Sequence, residues 1–149
     1  MIKYTEKIDL NQLQNQKCVS LGTLSPEIID FLKTKRPDVG NLLSDKEEIV
    51  FWNDRISHTE DHKDDFVSDA LFYKCFENIP AIIRRPDYIS VHKTGKSISF
   101  IRTVSQNVAV VIRVTTAGKM AYRTMYPLMS AQLDNYINSG NAWEYAKNI

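Results

Sequence analysis

Polar and apolar positions change from a helical period to a period of two close to residue 88 of this chain. Before that point apolar side chains recur at helical spacing, and after it they alternate with polar ones. From Tyr88 the segments YISVH, SISFIRTV, VAVVIRVT and MAYRTMY predict four strands. Their connections are Lys93 to Lys96, Ser105 to Gln106 or Asn107, and Thr116 to Lys119. Each is short and carries Gly, Asn or Ser, as antiparallel hairpins require. Pro127 ends the last strand, and residues 130–139 predict a closing helix with Leu133, Tyr136 and Ile137 on one side.

The first half reads as helices. Ser25, Pro26 and Glu27 supply an N-cap, a proline at the first helical position and an acid in the first turn. Ile28, Ile29, Phe31 and Leu32 give that helix its apolar face, and Pro37 stops it. Gly40 to Asp45 reads as a loop, and EIVFW (48–52) as a short strand or an apolar lead-in. Asn53 or Asp54 caps a helix carrying Ile56, His58, His62 and Phe66; Ser68 starts another with Leu71, Phe72, Cys75 and Phe76; Pro80 opens a third. Residues 1–24 are polar with scattered aliphatics and read as a loosely packed segment, with IDLNQL as a short strand or a turn of helix. The expected architecture is α+β in one domain over 1–149: N-terminal helices on one face of a four-stranded antiparallel meander, with a short C-terminal helix.

Composition changes this picture little. The chain has 149 residues, 43% of them hydrophobic and 25% charged, with a formal net charge of +1. No global basic field argues for nucleic acid. The distribution does, because residues 45–69 are acid-rich, whereas 84–123 carry Arg84, Arg85, Lys93, Lys96, Arg102, Arg113, Lys119 and Arg123 against Asp87 alone. Cys18 and Cys75 lie outside any CxxC pattern, leaving two reduced thiols or one long-range disulfide. No charged-then-apolar leader opens the sequence, and the longest apolar run, Val108 to Ile112, is far too short for a bilayer. The expectation is a protein without signal peptide or membrane partner.

The candidate chemistry begins at WNDRISHTEDH (52–62), which holds two of the three histidines, His58 and His62. On a helix that spacing puts both imidazoles on one face, and imidazole is the side chain best suited to proton transfer near neutrality. Strand alternation puts Arg102 with Ile98 and Phe100, Arg113 with Ala109 and Val111, and Thr124 and Tyr126 with Met120 and Tyr122. Histidines from a helix facing arginines from a sheet would suit a phosphodiester. A zinc reading of His58 and His62 lacks the glutamate that follows the first histidine in metalloproteases, since Thr59 stands there. The plain alternatives are surface histidines on an acidic helix, arginines snorkelling to solvent, and Thr124 and Tyr126 as good strand formers. His92 reads as a solvated hairpin residue, and Phe51, Trp52, Phe72, Tyr73 and Phe76 as core. Trp143 and Tyr145 in the tail read equally as a lid, an ordered tail or a partner contact.

The layout of helical histidines, the linker IPAIIRRPDYI (79–89), four antiparallel strands and a last strand ending RTMYP (123–127) resembles a known group. It is similar, over about residues 48–127, to the barnase–EndoU–colicin–RelE superfamily of metal-independent ribonucleases, in its phage and polymorphic-toxin branch. The resemblance implies RNA cleavage by attack of the ribose 2′-OH on the adjacent phosphate, without a cofactor. It implies His58 or His62 as the proton-transfer residue, Arg102 or Arg113 as the phosphate-stabilising cation, and Thr124 with Tyr126 beside it as the polar residues of the last strand. Lys93, Arg113 and Arg123 would bind substrate. It implies RNA as partner, with tRNA among the candidates and a cognate immunity or antitoxin protein as a second. The chain would then act in the cytoplasm or be delivered into a target cell within a larger toxin. The alternative is a catalytically inactive RNA- or protein-binding module of the same fold.

Overall fold

The computed structural model describes residues 7–104 and 106–145. In chain order they form α1 (Leu10–Asn15), β1 (Cys18–Thr23), α2 (Pro26–Lys35), α3 (Pro37–Gly40), β2 (Glu48–Trp52), α4 (Arg55–Glu60), a 3-10 turn (Lys63–Asp65), α5 (Asp69–Glu77), α6 (Ile79–Arg84), β3 (Tyr88–Val91), β4 (Ser97–Thr103), β5 (Asn107–Val114), β6 (Met120–Leu128), α7 (Ser130–Asn138) and β7 (Ala142–Glu144). One seven-stranded sheet runs in the order β1-β2-β6-β5-β4-β3-β7.

The meander β3 to β6 is its centre, each neighbour pairing antiparallel. Two of its connections fall as their turn residues direct. Gly118 adopts φ +82° between β5 and β6, where an added Cβ would meet the Leu42 carbonyl oxygen at 2.5 Å. Ser105, in the β4–β5 connection, lies outside the described residues.

The four-stranded expectation is corrected on both flanks. On one side β2 joins β6 in parallel, and β1 joins β2 antiparallel. On the other β7 pairs with β3, so Trp143 belongs to an edge strand. Three residues of β7 give too short an alternation to stand out in sequence. Residues 7–24 are built into the fold, with Leu13 and Leu21 buried in the main core; residues 1–6 lie outside the described set. The stretch read as a loop from Gly40 begins with the last residue of α3, where Pro37 serves as a helix start as well as the stop of α2.

Alternation separates the sheet's two faces. Ile49, Phe51, Ile89, Val91, Ile98, Phe100, Val110 and Ile112 point to one side and pack with Ile28, Leu32, Phe72, Phe76, Ile79 and Ile82 from the helices. Ser25 and Ser68 cap α2 and α5 by accepting from the Ile28 and Leu71 amides. The opposite face is only part-covered: α7 lays Leu133 over Ile101, Ala109 and Leu128, with Tyr88 and Tyr126 alongside. The rest of that face is open. The two cysteines are free thiols, Cys75 buried and Cys18 half-buried. Among the described residues no helix is long and apolar enough to cross a membrane.

Candidate active site

The open face owes its chemistry to a β-bulge in β6. Ile112 pairs with Tyr122 but Val111 pairs with Thr124, leaving Arg123 as the extra residue. Strict alternation would keep Met120, Tyr122, Thr124 and Tyr126 on one side. The bulge resets it: Met120 and Tyr122 face the helices, Met125 takes the inner position after them, and Thr124 and Tyr126 turn to the open face.

There they line a groove of about 460 Å³ together with Ser99, Lys93, Arg123 and Tyr136. The Thr124 hydroxyl is buried in it with no hydrogen-bond partner among the described residues. Leaving such a group unpaired costs about 1–3 kcal/mol. Tyr126 is the opposite case. Burial, reinforced by the neighbouring Tyr136 hydroxyl, pushes its pKa up to about 12. Its phenol is therefore a neutral hydrogen-bond donor at any physiological pH.

The histidines approach from α4. The helix is held to β6 by polar anchors at the bulged residue and at the residue before it. Arg55 donates from Nε and Nη2 to the Arg123 carbonyl oxygen at 2.9 and 2.6 Å. Thr59 Oγ1 donates to the Arg55 carbonyl oxygen at 2.8 Å and lies 2.7 Å from the Tyr122 hydroxyl. Because the threonine spends its one proton on Arg55, Tyr122 is the donor in that pair. Burial raises the Tyr122 pKa strongly, which keeps its proton in place. The Tyr122 ring stacks on Phe51 at 4.1 Å, so the anchor stands on core packing.

One helix carrying both histidines is not what forms. α4 ends at Glu60, and the chain tightens into three-residue turns, with His62 N bonding the Thr59 carbonyl and Asp65 N the His62 carbonyl. Glu60 and Asp61 at the helix C-terminus oppose its dipole, and a longer helix would add more acids there. The pair still meets, with ring centroids 6.2 Å apart. His58 is exposed, whereas His62 is half-buried. The His62 Nδ1 lies 3.1 Å from Asp65 Oδ2, and its ring is 6.0 Å from that of Tyr126. An aspartate on Nδ1 fixes the tautomer and leaves Nε2 for chemistry.

The remaining sequence candidates separate. Lys93 and Arg123 share the groove with Thr124 and Tyr126. Arg113 is exposed on the same face, paired with Ser97 and Ala121 at the groove's margin. His92 also lines the groove from the first hairpin, its Nδ1 2.9 Å from Thr94 Oγ1. Arg102 does not join them. It follows Phe100 onto the helix-covered face and lines a separate pocket of about 280 Å³ with Lys74, Cys75 and Asn78. Arg55, Asp65 and Tyr136 stand at or beside the site although the sequence reading did not place them there, and Trp52 lies on the same sheet face at the end of β2. Only Trp52 had a local signal, the alternation of EIVFW that sets it opposite Ile49 and Phe51. It is exposed rather than core.

No curated protein and no solved structure matches the chain. A family model does, over residues 22–135, a span that takes in β2, α4 and the whole meander: phage-Barnase-EndoU-ColicinE5/D-RelE like nuclease 3. A half-open mixed sheet with cations and hydroxyls on its free face and a histidine pair at its flank fits a nucleic-acid phosphodiester, and the chain belongs to this phage-associated nuclease family.

Proposed function

We propose that the chain is an endoribonuclease that needs no metal, acting as a phage-encoded effector or toxin, and that the groove of Thr124 is its active site. The carrying observation is the unpartnered, buried Thr124 hydroxyl in a groove that Lys93 and Arg123 make cationic. An anion with oxygens to spare satisfies the hydroxyl and both cations together.

In this reading the ribose 2′ oxygen attacks the adjacent phosphorus and the bond from phosphorus to the 5′ oxygen breaks. His62, oriented by Asp65, takes the 2′ proton at Nε2. His58 on the same flank returns a proton to the departing 5′ oxygen. Arg123 and Lys93, with the neutral phenol of Tyr126 and the Thr124 hydroxyl, face the charge that builds on the phosphorane. The first product is a 2′,3′-cyclic phosphate, which water opens to a 3′-phosphate. RNA supplies its own nucleophile, so the residues need only move protons and hold charge. Arg113, at the margin, would hold a neighbouring phosphate. A structured RNA such as tRNA and a neutralising immunity protein fit the same reading.

The test is cleavage in the presence of EDTA, with end-group analysis. The expected products carry 2′,3′-cyclic or 3′-phosphates. Ends bearing 5′-phosphate, or activity abolished by chelation, would mean metal-dependent hydrolysis instead. Binding of RNA without cleavage would leave a binding module.

A further inference from the structure

Trp52 is an exposed aromatic on the strand next to β6. It ends β2 and is 42% exposed, while Ile49 and Phe51 of the same strand are fully buried at 0%. Alternation therefore places it on the open face, the face of Thr124 and Arg123. The parallel ladder fixes its neighbour. Ile49 pairs with Met120 and Val50 with Ala121, and the stacked rings of Phe51 and Tyr122 continue that register. Carried two residues past the last pair, the same register would bring Trp52 level with Arg123, the bulged residue that lines the groove. Arg55, three residues further on, holds the Arg123 carbonyl. A solvated indole thus ends β2, the strand next to β6, whose residue Arg123 lines the groove.

We propose that Trp52 is a nucleobase subsite: an unpaired base of a single-stranded nucleic acid stacks on its indole while the attached phosphate is held at Arg123. This rests on the groove being a nucleic-acid site. An aromatic face suits any base, because every base has a π-face, and it reads bases that are free of a duplex. The cations that line the groove on the same face, Lys93 and Arg123, favour a polyanion over an apolar partner. Thr124 and Tyr126 lie one and three residues beyond Arg123 along β6, roughly 3 and 10 Å at the rise of a strand. The base on Trp52 therefore belongs to a nucleotide that flanks the reacting phosphate faced by Arg123, Thr124 and Tyr126, and the subsite would choose which stretch of RNA is cut.

Trp52 and Trp143 are the two tryptophans, so Trp143→Phe makes Trp52 the sole indole reporter. Trp143 packs edge-on against Phe31, and phenylalanine keeps an aromatic there. In that background the probe is a short 2′-O-methyl oligonucleotide, which lacks the nucleophile and stays intact. Fluorescence of Trp52 should be quenched by the single strand, and not by an abasic strand of equal length, which carries the charge without bases. Trp52→Ala should weaken binding of the single strand about 5- to 100-fold, and Trp52→Phe by less. In cleavage assays the loss should fall on KM rather than kcat. If labelled oligonucleotide binds with wild-type affinity to Trp52→Ala, or binds without quenching, the subsite is overturned and the nuclease reading stands. If no oligonucleotide binds and no RNA is cut, both fall together.

Discussion

At the scale of single residues the two histidines differ in what surrounds them. His62 has an aspartate on Nδ1 and the Tyr126 ring at 6.0 Å, whereas His58 is exposed and touches only its fellow imidazole among the contacts described. His62→Ala should therefore lose about 10²–10⁴ in kcat, as for a general base, with His58→Ala losing less. Asp65→Asn keeps the shape and removes the charge that orients the ring, so it should lower kcat without changing KM. Steady-state rates on a defined RNA decide. Equal, full activity of His58→Ala and His62→Ala would remove the mechanism. Thr124→Val keeps the β-branch and deletes an unpaired buried hydroxyl. It should raise stability in denaturant titration while lowering turnover, a pairing that a purely structural threonine would not show. Arg102→Ala, on the covered face, should cut RNA at close to the wild-type rate, whereas Arg123→Ala should not.

Among elements, the informative contact is α4 against β6. Tyr122→Phe removes one buried hydrogen bond to Thr59 and leaves the ring on Phe51. It should cost about 0.5–1.5 kcal/mol of stability by chemical denaturation, and a larger share of activity because α4 carries the histidine flank. Retained activity with lost stability would show that the histidines do not depend on this anchor. The same contact marks where sequence legibility ends. The hairpins of the meander are readable because alternation and turn residues are local, and the caps at Ser25 and Ser68 because a serine before a helix has one cheap use. The bulge at Arg123 has no local signature. It depends on Tyr122 keeping its place over Phe51, a partner far away in sequence, and it alone moves Thr124 and Tyr126 to the open face. Arg102 is readable as sharing a face with Phe100, but which face meets the helices is a tertiary fact. The end of α4 before His62 depends on acids at a C-terminus, a weak effect that capping patterns do not announce.

On the whole-molecule scale, one covered face and one open face make stability and function separable, and pH shows it. Both Tyr122 and Tyr126 have pKa values raised by burial, Tyr126 to about 12. Each sits on β6, one on each face, so β6 is clamped between two phenols that must stay protonated. A group whose folded pKa exceeds its unfolded value holds more protons in the native state. Its contribution is complete below the unfolded tyrosine pKa near 10 and is lost as pH climbs through the folded value. Stability should therefore be insensitive to these groups below about pH 10 and fall steeply between about pH 10 and 12. Thermal melts across that range, followed alongside phenolate absorbance, should show unfolding and tyrosine ionisation together. Tyr126→Phe removes one titrating group from the open face and should flatten the fall, while Tyr122→Phe flattens it from the covered side. If both variants lose stability with the wild-type slope, the alkaline transition belongs to other groups and β6 is not held in this way.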